Sequence, residues 1–383
     1  MFLFREATLA DEDAIFDLAR YLNTLNLPPE RGVIRALLER SVASFGGDGA
    51  FDGARRFLFV LEDGDGRVVG TSMIHAQHGT PDDPHVYFTV TEEERLGRLP
   101  GDRTVHMVHT MLYLSQTYDG PTELGGLVLH PDLRGHPERL GRLLSLARFV
   151  FIAAFREWIR DRLLAELLPP LYRGPEGVTT SPLWDALGRK FTGLSYDEAD
   201  KLSRTDKDFI WELFPRMPVH ASLLPDGVRD IVGKVGPNTI AALRLLESVG
   251  FKYVWRVDPF DGGPHVEADT DDVTLVRDAR WHRAVAGDPG AHAVPTVVAL
   301  RAASAPHFRA VWTATDRGRG GEELSDPADA ALASDEAMAP TPLVVPPPAL
   351  ARLGVAADEP FVIAAVRPQR RRADLRPRRP PVG

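Results

Sequence analysis

The chain has 383 residues, of which 44% are hydrophobic and 26% charged, with a net charge of −9. That length accommodates about two or three domains, each with its own core, and the composition is that of an ordinary globular protein. Cysteine is absent, which excludes disulfides, thiolate zinc sites and a cysteine acyl-enzyme, and the acidic balance disfavours a general nucleic-acid-binding role.

The opening Phe2–Thr8 reads as a short strand, followed by an acidic first turn at Asp11–Asp13 and an amphipathic run to Leu22. A second helical pattern spans Pro29 to Phe45 and places Val33, Leu37, Leu38, Val42 and Phe45 near one face. Phe57–Leu61 and Val68–Ile74 flank Asp63-Gly-Asp-Gly66, the clearest hairpin signal in the chain. Val86–Val90, Thr104–Thr110 and Met111–Leu114 are further strand candidates.

Glu123–Leu129 reads as a strand running into His130-Pro-Asp-Leu-Arg134-Gly135. A long helix is expected from near Pro137 to about Arg156, and Leu163–Leu168 returns as a strand, completing a βαβ unit. Residues 176–250 read as mostly helical, and the helix Asn238–Val249 is stopped by Gly250. These patterns divide the chain into residues 1–256, a small β-rich domain at 257–366 with an exposed insertion near 316–342, and a disordered tail at 367–383. The tail holds seven arginines among prolines. The longest apolar run, Phe149–Phe155, is too short to span a membrane and is flanked by Arg148 and Arg156. No secretory leader pattern opens the chain, so the cytoplasm is the expected compartment.

The chemistry concentrates on Leu127-Val128-Leu129-His-Pro-Asp-Leu-Arg134-Gly135, with Gly141-Arg142 opening the helix. A strand end, a glycine-containing loop and a helix N-terminus present backbone N–H groups to a pyrophosphate, and Arg134 and Arg142 can add charge-assisted bonds. This stretch resembles the acyl-CoA loop of the GNAT superfamily, and Asn238–Phe251 is similar to that superfamily's late helix and turn. Further runs, in order, resemble arginine N-succinyltransferases over most of residues 1–268: Thr122–Pro131, Leu143–Phe149, Ser181–Phe191, Glu198–Asp200, Phe209–Pro215 and Val257–Pro264. Trp184, Phe191 and Phe209 are expected in the core.

The resemblance implies an α+β GNAT-type fold, with a mixed, splayed central sheet and helices on both faces, plus the small C-terminal domain. It implies succinyl transfer from succinyl-CoA to the α-amine of arginine by direct attack in a ternary complex, with no tightly bound cofactor. It also implies an acyl-CoA contact at Leu127, a slot between Glu123–Leu129 and Leu163–Leu168, and assembly into an oligomer. Glu123 is the candidate base or ammonium-binding group, or else a strand-edge carboxylate. Two family acids are replaced: the histidine before Pro237 is Gly236 here, and the late-helix tyrosine is Leu246. His220 is the substitute proton donor. Asp119, Glu123 and Glu176 are the candidate carboxylates for a guanidinium. His75, His78, His106 and His109 have no recognised ligand spacing, so no metal is expected. Other readings remain: a different amine or acyl group, or an acyl-CoA-binding module without turnover.

Overall fold

The computed structural model describes residues 1–21, 27–47, 49–173, 179–204, 206–317, 341–355 and 361–366. The tail at 367–383 lies outside these residues, as does nearly all of the 316–342 insertion. From the N-terminus come β1 (Leu3–Glu6), α1 (Glu12–Ala19), α2 (Arg31–Phe45), β2 (Arg56–Glu62), β3 (Val68–His75), β4 (His85–Leu99) and β5 (Arg103–Thr117). Next are β6 (Thr122–Leu129), α3 (Leu140–Ala154), β7 (Arg162–Glu166), β8 (Tyr172–Arg173) and β9 (Thr179–Thr180). Short helices, β10 (Val219–His220) and the helix Ile240–Val249 follow. The remaining strands are β11 (Lys252–Val257), β12 (Pro264–Asp269), β13 (Arg280–Ala286), β14 (Val294–Arg301), β15 (Phe308–Arg317), β16 (Pro342–Val345) and β17 (Phe361–Val366).

The chain divides into two compact units. The first joins Met1–Gln77 and Thr122–Leu163 to the described residues from Asp269 onward, and the second comprises His78–Pro121 and Leu164–Ala268. This division does not follow the expected cut after residue 256. β1 pairs antiparallel with β15, Phe4 opposite Ala310, so the C-terminal strands continue the N-terminal sheet.

In the first unit the strand order is β6-β3-β2-β1-β15-β14-β17-β13-β16. The predicted hairpin is β2–β3, with Phe57 opposite Ile74. In α2 the buried face is Ile34, Leu38, Ser41 and Phe45, while Val33 and Val42 point to solvent, which corrects the expected stripe. The core is aromatic. Phe151 of α3 packs 4.9 Å from Phe57, 5.0 Å from Phe59, 4.7 Å from Phe155 and 5.3 Å from Phe308, centroid to centroid.

In the second unit the order is β10-β5-β4-β11-β12, followed by the Leu164–Glu166 end of β7. β5 is one continuous strand where two were expected, because it pairs with β4 along its whole length from Arg103 to Thr117. Trp184 is buried and stacks 4.8 Å from Phe260, with its indole N–H donating to the Leu194 carbonyl. Phe209 packs against the same core, whereas Phe191 is exposed, contrary to expectation.

Phe151 touches every layer of the first unit's core. Phe151→Ala is therefore expected to destabilise the chain by about 3–5 kcal/mol, read from urea denaturation.

Candidate active site

β6 is the strand from which the first unit's candidate site is built. Opposite β3, Thr71 pairs with Val128 and Met73 pairs with Gly125, so Ser72 alone faces both Gly126 and Leu127. That is a β-bulge: one extra residue breaks the ladder and bends the strand. Gly126 makes it possible. Its φ of 56° is left-handed, and a Cβ there would lie 3.0 Å from the Met73 Cβ. The Thr71 hydroxyl donates to the Gly126 carbonyl at 2.9 Å and fixes the kink.

After Leu129 the chain turns through Pro131–Leu133, with the His130 Nδ1 accepting from the Asp132 N–H. Gly135 adopts φ 79° and Arg139 φ 55°. These left-handed residues delay the helix, which begins at Leu140 rather than near Pro137. Arg134 and Gly135 are exposed, and Gly141 and Arg142 lie half-buried in the first turn of α3. The sequence-predicted residues Leu127, Val128, Leu129, Arg134, Gly135, Gly141 and Arg142 thus fall on one continuous strand–turn–helix. Val128 points its side chain into the core, so only its backbone can meet a ligand.

Glu123 is not a solvent-facing edge carboxylate: it is 2% exposed, and its Oε2 lies 3.4 Å from the Nδ1 of His75, its partner across β3–β6. A buried carboxylate beside an imidazole can accept a proton and pass it on.

One residue of this site was not singled out from the sequence. Arg148, on α3, is 3% exposed, and burial alone lowers its pKa to about 10, so the guanidinium remains charged. It donates to the Ser145 hydroxyl at 3.2 Å and to the Gly125 carbonyl at 3.4 Å, just before the bulge. No carboxylate among the described residues pairs with it. A buried cation with no carboxylate partner is costly to desolvate. The signal was present in the sequence as an arginine inside the apolar stretch Leu143–Ala154.

The other predicted residues belong to the second unit. His220 sits half-buried on β10, opposite Met111 of β5, its ring 5.9 Å from that of His109. Asp119 is exposed, and Glu176 lies outside the described residues. His106 approaches Glu94 at 3.3 Å, and His109 contacts the Ser222 hydroxyl at 3.1 Å. Gly236 donates its N–H to the Leu168 carbonyl at 2.8 Å. A Cβ at Gly236 would stand 2.7 Å from the Pro169 carbonyl oxygen. The Pro169 backbone therefore occupies the space that a side chain at position 236 would need.

A family model described as arginine N-succinyltransferase beta subunit matches residues 2–275. The chain belongs to the arginine N-succinyltransferase family. The chain is 35% identical to the arginine N-succinyltransferase subunit beta of Pseudomonas aeruginosa, over 77% of this chain and 85% of that protein. It is 37% identical to an arginine N-succinyltransferase of Yersinia pestis, over 72% of this chain and 76% of that one. The solved arginine/ornithine succinyltransferase subunit AI of Pseudomonas aeruginosa superposes with a TM-score of 0.74 at 26% identity, covering 96% of this chain and 98% of that one. The fold is accordingly that of the solved succinyltransferase subunit, mixed helices and strands with a strand-rich C-terminal region, and the family is one of acyltransferases. Among the described residues no helix is long and apolar enough to cross a membrane.

The backbone contact at Gly236 makes a concrete demand on this member of the family. Gly236→His is expected to cost about 1–3 kcal/mol of stability through overpacking and to give no gain in coenzyme A release. A stable and faster variant would show that the space is open.

Proposed function

We propose that this chain transfers a succinyl group from succinyl-CoA to the α-amine of L-arginine, in the cytoplasm, within a ternary complex. The relatives that carry this activity in their names support the reaction, and Arg148 is the observation that carries the acyl specificity. An acetyl donor has no use for a buried cation beside β6. A succinyl donor ends in a carboxylate, which supplies the missing counter-charge.

The backbone around Leu127 at the bulge receives the thioester carbonyl, and the polarised oxygen gains its stabilisation in the transition state. The turn Arg134–Gly135 and the first amides of α3, with Arg142, take the pyrophosphate. Glu123 removes a proton from the incoming ammonium and hands it towards His75. The amine then attacks, a C–N bond forms, the nitrogen gives up its second proton to solvent, the C–S bond breaks, and coenzyme A leaves as the thiolate, which takes its proton from solvent. Holding both substrates in place replaces covalent catalysis.

The deciding experiment is coenzyme A release by the purified full chain, with succinyl-CoA and acetyl-CoA each paired with L-arginine, L-ornithine and spermidine. Release with succinyl-CoA and arginine above the other pairs supports the proposal. Release only with acetyl-CoA, or acyl-CoA binding without turnover, overturns it. In the same assay Glu123→Gln is expected to lower kcat about 10²–10⁴-fold, with activity returning as pH rises and the free amine becomes abundant. An unchanged kcat would remove Glu123 from the mechanism.

A further inference from the structure

We propose that the second unit contains a divalent transition-metal site formed by His78, His85 and Glu166, with the ring of His265 packed against it. None of the four has a part in the acyl transfer described above, and the inference does not depend on that reading. They come from separate stretches of chain: His78 precedes β4, His85 opens it, Glu166 ends β7, and His265 is the second residue of β12. Sheet pairing brings them to one carboxylate oxygen. The Nε2 atoms of His85, His265 and His78 stand 3.0, 3.4 and 3.8 Å from Glu166 Oε1. A tetrahedral ion with bonds of about 2.0–2.1 Å holds its ligand atoms roughly 3.3 Å apart. The distances from Glu166 to His85 and to His78 bracket that edge length. The ligand atoms of His78, His85 and Glu166 lie within 4.8 Å of one another.

The rings are packed as a group, with His78 and His85 edge to face at 4.2 Å and His85 and His265 stacked at 5.1 Å. His85 is 3% exposed and His265 is wholly buried. Neither ring nitrogen of His265 makes a hydrogen bond, and both are sealed from solvent. At 3.4 Å from Glu166 the His265 contact is not a hydrogen bond, so His265 leaves the Glu166 oxygen available to an ion. Two imidazoles and one carboxylate, with a position left for water, select zinc-like ions over magnesium or calcium, which prefer all-oxygen shells.

The test uses the full chain, dialysed against chelator and titrated with Co²⁺ alone. One Co²⁺ per chain, with the visible absorption of a tetrahedral site and displacement by one equivalent of Zn²⁺, is expected. Glu166→Gln and His78→Gln should each weaken binding about 100-fold or more, since even outer-shell changes cost 10–100-fold. His78 is partly exposed, so its variant is the one that should fold normally, which thermal melting in chelator verifies. The proposal is overturned if the folded wild-type chain takes up no stoichiometric Co²⁺. It is equally overturned if the tetrahedral absorption persists in folded His78→Gln with unchanged affinity.

Discussion

A guanidinium locked under a kinked strand organises the first unit. Arg148 lies on the buried helix α3, which packs across β3, β6, β14 and β15. That helix can hold a charge there only because its neighbours are fixed: Ser145 is buried one turn earlier, and the Ser72 hydroxyl donates to the Leu144 carbonyl at 3.2 Å. Gly70 permits the close approach, since a Cβ there would lie 2.7 Å from Leu144 Cδ1 and 2.8 Å from the Val128 carbonyl oxygen. The bulge at Gly126, the helix start at Leu140 and the buried cation are thus parts of one packing solution. Its cost in desolvation makes sense when an anionic group completes it.

The local features were legible in the sequence because they obey short-range rules. Asp63-Gly-Asp-Gly66 between two apolar runs gave the β2–β3 hairpin, and Gly250, at φ 119°, ends its helix as a left-handed cap. The strand–turn–helix carrying Leu127 to Arg142 was readable for the same reason. Arg139 displaced the helix start because a left-handed non-glycine residue leaves no compositional trace.

What depends on distant pairing was not legible. The continuation of β1 into β15 has no signature in either segment, so the C-terminal strands read as a separate domain. His75, His78, His106 and His109 showed no ligand spacing in the sequence, and the close cluster in the second unit needs His85 and Glu166, which only the sheet assembles. Arg148 was visible only as a polar flank to an apolar run. Whether an arginine snorkels to solvent or stays inside is decided by packing on both sides of the helix.

The central claim is that Arg148 receives the distal carboxylate of the acyl donor, and calorimetric titration of coenzyme A, acetyl-CoA and succinyl-CoA into wild-type and Arg148→Met protein tests it most directly. One charge-assisted pair is worth about 1.5–3 kcal/mol, so the wild-type chain should bind succinyl-CoA roughly 10–100-fold more tightly than acetyl-CoA. The variant should bind the two equally while keeping its affinity for coenzyme A. An undiminished preference for succinyl-CoA in folded Arg148→Met would contradict the account.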